Sequence, residues 1–134
     1  MRFMMIVKAS PDYEAGKMPS TERIAAMKAY NRELRKAGLL LDVSGLQPSS
    51  KGALVKFSGG KAVGVIDGPF AETKEVTGGF WLLEANSLQE VIEWAKRAPA
   101  PHGPHRDTEI EIRPLWDFEA ETRSVDNRAK EKEA

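Results

Sequence analysis

The chain has 134 residues, 41% of them hydrophobic, with 20 basic and 20 acidic side chains and a formal net charge of zero. That is the make-up of one globular domain around one core. It holds no cysteine, which excludes disulfides, Cys-ligated zinc, iron–sulfur clusters and thiol catalysis, and its balanced charge lacks the basic excess of a nucleic-acid binder.

Phe3–Val7 is a continuous apolar run of strand length, too short for a signal-peptide core or a membrane span. Nowhere else does an apolar run exceed a strand, so the expectation is a cytoplasmic chain with no membrane partner. Ser10-Pro11-Asp12 interrupts the strand, and 13–19 reads as a loop. Ser20 can cap a helix in which Ile24, Met27, Asn31 and Leu34 recur at helical spacing, with Gly38 as its stop. Leu39–Val43 reads as a second strand. Residues 53–57 and 62–66 flank Ser58-Gly59-Gly60-Lys61 and predict a β-hairpin.

After the breaker Asp67-Gly68-Pro69, Gly79–Leu83 forms a second apolar run. Ser87 to Glu90 is a capping box, and Leu88, Val91, Ile92 and Ala95 line one face of the helix it starts. Pro99 stops that helix and 99–104 is a loop. Ile110 and Ile112 then alternate with charged residues in a last strand that reads through to Phe118. Residues 119–134 are charged, with Val125 as the one bulky apolar residue, and their composition predicts a disordered tail after a domain at 1–118.

With the hairpin set aside, the element order is β-α-β-β-α-β, an α+β ferredoxin-like fold with an inserted β-hairpin. Its first and third strands are central, and these carry the two apolar runs. Successive side chains point to opposite faces of a strand. Met4 and Ile6 thus oppose Phe3, Met5 and Val7, while Phe80 and Leu82 oppose Trp81 and Leu83, so both faces of the sheet centre call for burial. Two helices cover one face. A second copy about a two-fold axis is the economical cover for the other, and a homodimer through the sheet face is expected.

The segment Asp67-Gly68-Pro69-Phe70-Ala71-Glu72-Thr73-Lys74-Glu75, leading into Gly78-Gly79-Phe80, resembles the YCII-related superfamily in its DGPF subfamily. The resemblance covers most of 2–118, through Ala37-Gly38-Leu39-Leu40, Gly45-Leu46-Gln47-Pro48, Glu93-Trp94-Ala95, Arg97-Ala98-Pro99 and Glu111-Ile112-Arg113-Pro114. It implies a dimeric α/β barrel and brings no established activity with it. Shorter members of the superfamily carry a histidine on the first helix, working with an aspartate in the cleft. This chain has Met27 at that position, so an acid–base mechanism has to recruit other groups.

Those groups can be named. Asp67, on a rigid turn at the mouth of a cleft between sheet and helices, is a candidate base or orienting group. His102 and His105, the two histidines, are candidate proton carriers because an imidazole titrates near neutrality. Glu72 and Lys74 join Asp67 at that mouth, Lys74 or Arg113 can anchor an anionic substrate group, and Tyr30 can line the cleft. His102, His105 and Asp107 lie on a loop with no third histidine or cysteine, so neither a metal nor a cofactor is expected. Two functions follow: a small enzyme doing acid–base chemistry on a small molecule near the DGPF loop, or a non-catalytic ligand-binding or regulatory module. The resemblance supports the second, because related domains occur beside alternative sigma factors.

Overall fold

The computed structural model describes residues 1–70, 76–103 and 105–118. Its elements in chain order are β1 (Arg2–Lys8), α1 (Pro11–Glu14), α2 (Thr21–Lys36), β2 (Leu40–Gly45), a 3-10 turn at Ser49–Lys51, β3 (Ala53–Ser58), β4 (Lys61–Asp67), β5 (Thr77–Glu84), α3 (Leu88–Lys96) and β6 (Ile110–Pro114). Serine side chains start each of α1, α2 and α3. Ser20 Oγ accepts from the Arg23 amide at 3.2 Å, Ser87 Oγ from Glu90 at 3.2 Å, and Ser10 Oγ from Tyr13 at 3.0 Å. Each such cap contributes about 1 kcal/mol to its helix.

Two sequence expectations are corrected here. Residues 13–19 do not form a loop from their start, because α1 occupies Pro11–Glu14. Proline suits the first helical position, where its missing N–H would lack a partner anyway. The last strand stops at Pro114 instead of running to Phe118. Pro114 pairs with Phe3 and the Leu115 amide donates to the Arg2 carbonyl at 2.9 Å, so β1 has no residue left to pair with Trp116. Trp116 and Phe118 instead stack on each other, exposed, with ring centroids 6.2 Å apart.

The fold is α+β. Four strands pair antiparallel in the order β2-β5-β1-β6, and β3-β4 forms a separate two-stranded hairpin. The four-stranded order is ferredoxin-like, with the first and third strands of the βαββαβ set at its centre. Neither sheet closes into a barrel within the chain. Met5 lies opposite both Trp81 and Ile112, and Phe3 opposite Leu83. Phe3, Met5, Trp81 and Leu83 are buried together with Tyr30 and Leu34 of α2 and Val91 of α3 to form the core, and half-buried Ile112 packs against it. The alternate residues Met4, Ile6, Phe80 and Leu82 occupy the other face, where they are half-buried. Among the described residues no helix is long and apolar enough to cross a membrane.

Candidate functional site

A cleft of about 590 Å³ opens at the end of the sheet where β1 and β2 leave and β5 enters, beside the first half of α2. Glycine makes the sheet end narrow enough to floor it. A Cβ at Gly79 would stand 2.9 Å from the Ser44 carbonyl oxygen, and one at Gly78 would stand 3.0 Å from Ala9 Cα. Both neighbours are backbone, which cannot swing aside, so the Gly-Gly pair lets three strands converge. The walls are mostly apolar: Ile24 and Met27 from α2, and Val7, Val43 and Trp81 from the sheet. Asn31, one turn beyond Met27, accepts a hydrogen bond from Trp81 Nε1 at 2.7 Å and so fixes the indole in this wall.

The loop after α3 covers one side, and three different elements hold it. Arg23 Nη2 donates to the carbonyl oxygens of Ala100, at 2.9 Å, and Pro101. His102 Nε2 sits 2.8 Å from the Lys8 carbonyl oxygen, and Arg106 Nη2 is 3.3 Å from Asp12 Oδ2. A carbonyl only accepts, so Nε2 of His102 carries the proton, and in the neutral ring Nδ1 keeps a free lone pair. His102 thus enters the cleft wall as a half-buried imidazole fixed in one tautomer.

The cleft is electropositive. Lys8, Lys17, Arg23, Lys28 and Arg106 line it, with Asp12 as the one carboxylate among the described lining residues. Asp12 is shared by Arg106 at 3.3 Å and Lys17 at 3.8 Å, and Lys8 reaches Glu111 at 3.6 Å.

The structure distributes the residues singled out in the sequence. His102 lines the cleft; His105 is exposed on the same loop and is not part of the wall. Asp67 is exposed at the end of β4, paired in register with Ala53, and is not among the lining residues. Arg113 is exposed on β6, 3.3 Å from Glu111 on the sheet face opposite the helices. Tyr30 is buried beneath the cleft in the core, its hydroxyl donating to the Trp94 carbonyl at 2.7 Å and its ring edge-on to Trp81 at 5.7 Å. Burial pushes its phenol pKa up to about 12. Glu72, Lys74 and the tail at 119–134 lie outside the described residues.

The DGPF tetrapeptide has a visible anchor. Its Gly68–Pro69 peptide is cis, and a Cβ on Gly68 would fall 1.7 Å from the Ser49 carbonyl oxygen, so only glycine fits. The Phe70 amide donates to Ser49 Oγ at 2.9 Å. Ser49, 5% exposed, donates its own amide and hydroxyl to the two carboxylate oxygens of Glu14, the amide at 2.8 Å. The tetrapeptide is thereby tied to α1, whose Asp12 and Tyr13 border the cleft.

Sequence reading missed Arg23, Arg106 and Lys8. A basic residue on a helix or strand end reads as solvated, and the carbonyl that Arg23 meets lies 77 positions away. Ser10-Pro11, a helix-start signal, could have placed Asp12 and Tyr13 on a fixed element.

The model of the YCII-related domain matches residues 1–119, and the chain belongs to that family. An uncharacterized protein of Rhizobium meliloti (strain 1021) is 40% identical over 70 residues, 52% of this chain and 56% of that protein. The chain thus spans little more than half the length of that relative. A solved structure of 5-chloro-2-hydroxyhydroquinone dehydrochlorinase from Burkholderia phenoliruptrix AC1100, in complex with 2,5-dihydroxybenzoquinone, superposes with a TM-score of 0.48 at 17% identity. The match covers 87% of this chain and 94% of that one.

Proposed function

We propose that this YCII-related chain binds a small organic molecule in the cleft between α2 and the sheet end and performs acid–base chemistry on it, with His102 as the proton carrier. His102 is the observation that carries the reading. Its Nε2 is spent on the Lys8 carbonyl, its Nδ1 has a lone pair, and it stands in a largely apolar cleft of suitable volume. Asp67 does not line that cleft, so the proton-transfer role goes to the histidine alone.

A non-catalytic ligand-binding or regulatory module is the second reading, favoured by one observation. Asp12, the carboxylate in the described wall, is held by two cations, which leaves His102 without a free carboxylate among the described lining residues. Thermal-shift screening of metabolites against the full chain separates these outcomes. A true cleft ligand raises the midpoint of the wild type and not of Ile24→Trp, which fills the cleft from an exposed position on α2. If the hit is consumed by wild type and bound intact by His102→Asn, the chain is an enzyme. Binding without turnover by both proteins supports the module. Hits that stabilise Ile24→Trp equally well contradict the cleft assignment.

We also propose a homodimer through the sheet face that bears Met4, Ile6, Phe80 and Leu82. The support is chemical: an apolar centre lies opposite the two helices, and Glu111, Arg113 and Asp42 fall on the flanking strands in register with it.

A further inference from the structure

We propose that the ligand of this cleft is an anion with an apolar body, such as an aromatic or branched carboxylate, whose negative end is held by the Arg23 guanidinium. The inference rests on the cleft being a small-molecule site and adds its chemical class.

Arg23 is the centre of the argument. It is half-buried, and its position is set by two backbone carbonyls of the loop after α3, both contacted through Nη2. Those partners are neutral, so they fix the group without offsetting its charge. Nη1 and Nε make no hydrogen bond, and the side chain makes no ion pair, among the described residues. A planar, permanently charged fork with spare donors, immobilised in a wall, is the arrangement that receives a carboxylate in a bidentate contact.

The surroundings reinforce this choice. Lys28, five residues further along α2, is also unpaired among the described residues and lines the same cleft. The other cations are partly offset, Lys8 by Glu111 and the Lys17–Arg106 pair by the single Asp12. Among the described residues the single carboxylate Asp12 stands against Lys17, Arg23, Lys28 and Arg106, Lys8 being turned to Glu111 on the other sheet face, and a low-dielectric wall focuses the resulting positive field. That wall is Met27, Val43 and Trp81, with the indole N–H consumed by Asn31. Half-buried Met27 and Val43 offer apolar contact area with the buried Trp81 behind them, and the three give no free donor to a polar ligand body. A neutral sugar or polyol would meet apolar surface along most of its body there, and a cationic amine would face Arg23 and Lys28.

The test compares three probes of one shape on the full chain: benzoate, benzyl alcohol and benzylamine, each titrated up to its solubility limit while amide shifts are followed. The expected result is saturable benzoate shifts at Asn31, Gly79 and His102. Affinity for benzoate should be about tenfold or more above that for benzyl alcohol, and should fall with added salt. Arg23→Gln should bring benzoate down to the level of benzyl alcohol. Because that variant also loosens the loop, Lys28→Gln, an exposed change with no bond to lose among the described residues, should lower benzoate binding by a smaller factor. If benzyl alcohol or benzylamine binds in the cleft as well as benzoate, the anion assignment is wrong and the cleft stands as a small-molecule site. If no probe moves the cleft residues, both readings fail together.

Discussion

Tyr30 is 4% exposed, and its hydroxyl donates to the Trp94 carbonyl. The fold therefore favours the neutral phenol, raising its pKa from 10.0 to about 12. For an acid whose folded pKa is raised, the contribution to stability is complete below the unfolded value and is lost as pH rises from there through the folded value. Wild type is expected to lose about 1 kcal/mol relative to Tyr30→Phe on going from neutral pH to about pH 11, read from urea midpoints. At neutral pH the phenylalanine variant should be less stable by about 1 kcal/mol for the missing hydrogen bond. A pH-independent difference between the two proteins contradicts the buried-phenol account. The same residue shows the limit of spacing as a signal. Tyr30 is adjacent to Asn31 in sequence, yet one residue along a helix is a rotation of about 100°, and it separates a core ring from a cleft amide. Asn31 and Met27, four apart, share the cleft face as their spacing implies.

At the scale of elements, the Ser20 and Ser87 caps and the two apolar runs were legible because each depends on neighbours in sequence. The DGPF turn was legible as a turn but not as an anchor, since Ser49 and Glu14 reach it from distant segments. Ser49 Oγ serves Glu14 and the Phe70 amide at once. Ser49→Ala is expected to cost about 1–3 kcal/mol by orphaning one donor and one acceptor, measured by thermal or chemical denaturation. Gly68→Ala should cost more, because its Cβ would overlap the Ser49 carbonyl oxygen. A neutral Gly68→Ala would show that the turn does not pack on Ser49 as described. The missed α1 follows from the same locality: Pro11 reads as a breaker unless Ser10 is recognised as its cap, and the over-long last strand followed apolar pattern where pairing partners ran out.

For the whole molecule, strand order was readable because central and edge strands differ in how many faces need burial. The position of the cleft was not, because its wall is assembled from α1, α2, three strands and the loop after α3. The proposed homodimer belongs to this scale. Light scattering coupled to size exclusion is expected to give twice the mass of one chain, and Ile6→Lys, a charge placed on the helix-free face, is expected to give a monomer with unchanged circular dichroism. A folded wild-type monomer at micromolar concentration contradicts it. The hairpin β3–β4 adds a second apolar surface, with Val55, Phe57 and Val65 all exposed, and a two-stranded ribbon gains little stability alone.

The central claim is that the cleft between α2 and the sheet end is where this chain meets its small molecule. A crystal structure of the full chain with the compound that most raises its thermal midpoint tests this directly. The account predicts density for that compound between Met27 and Trp81, within hydrogen-bond reach of His102 or Arg23. Density on the exposed Asp67 end of the hairpin, with the α2 cleft holding solvent, would contradict it.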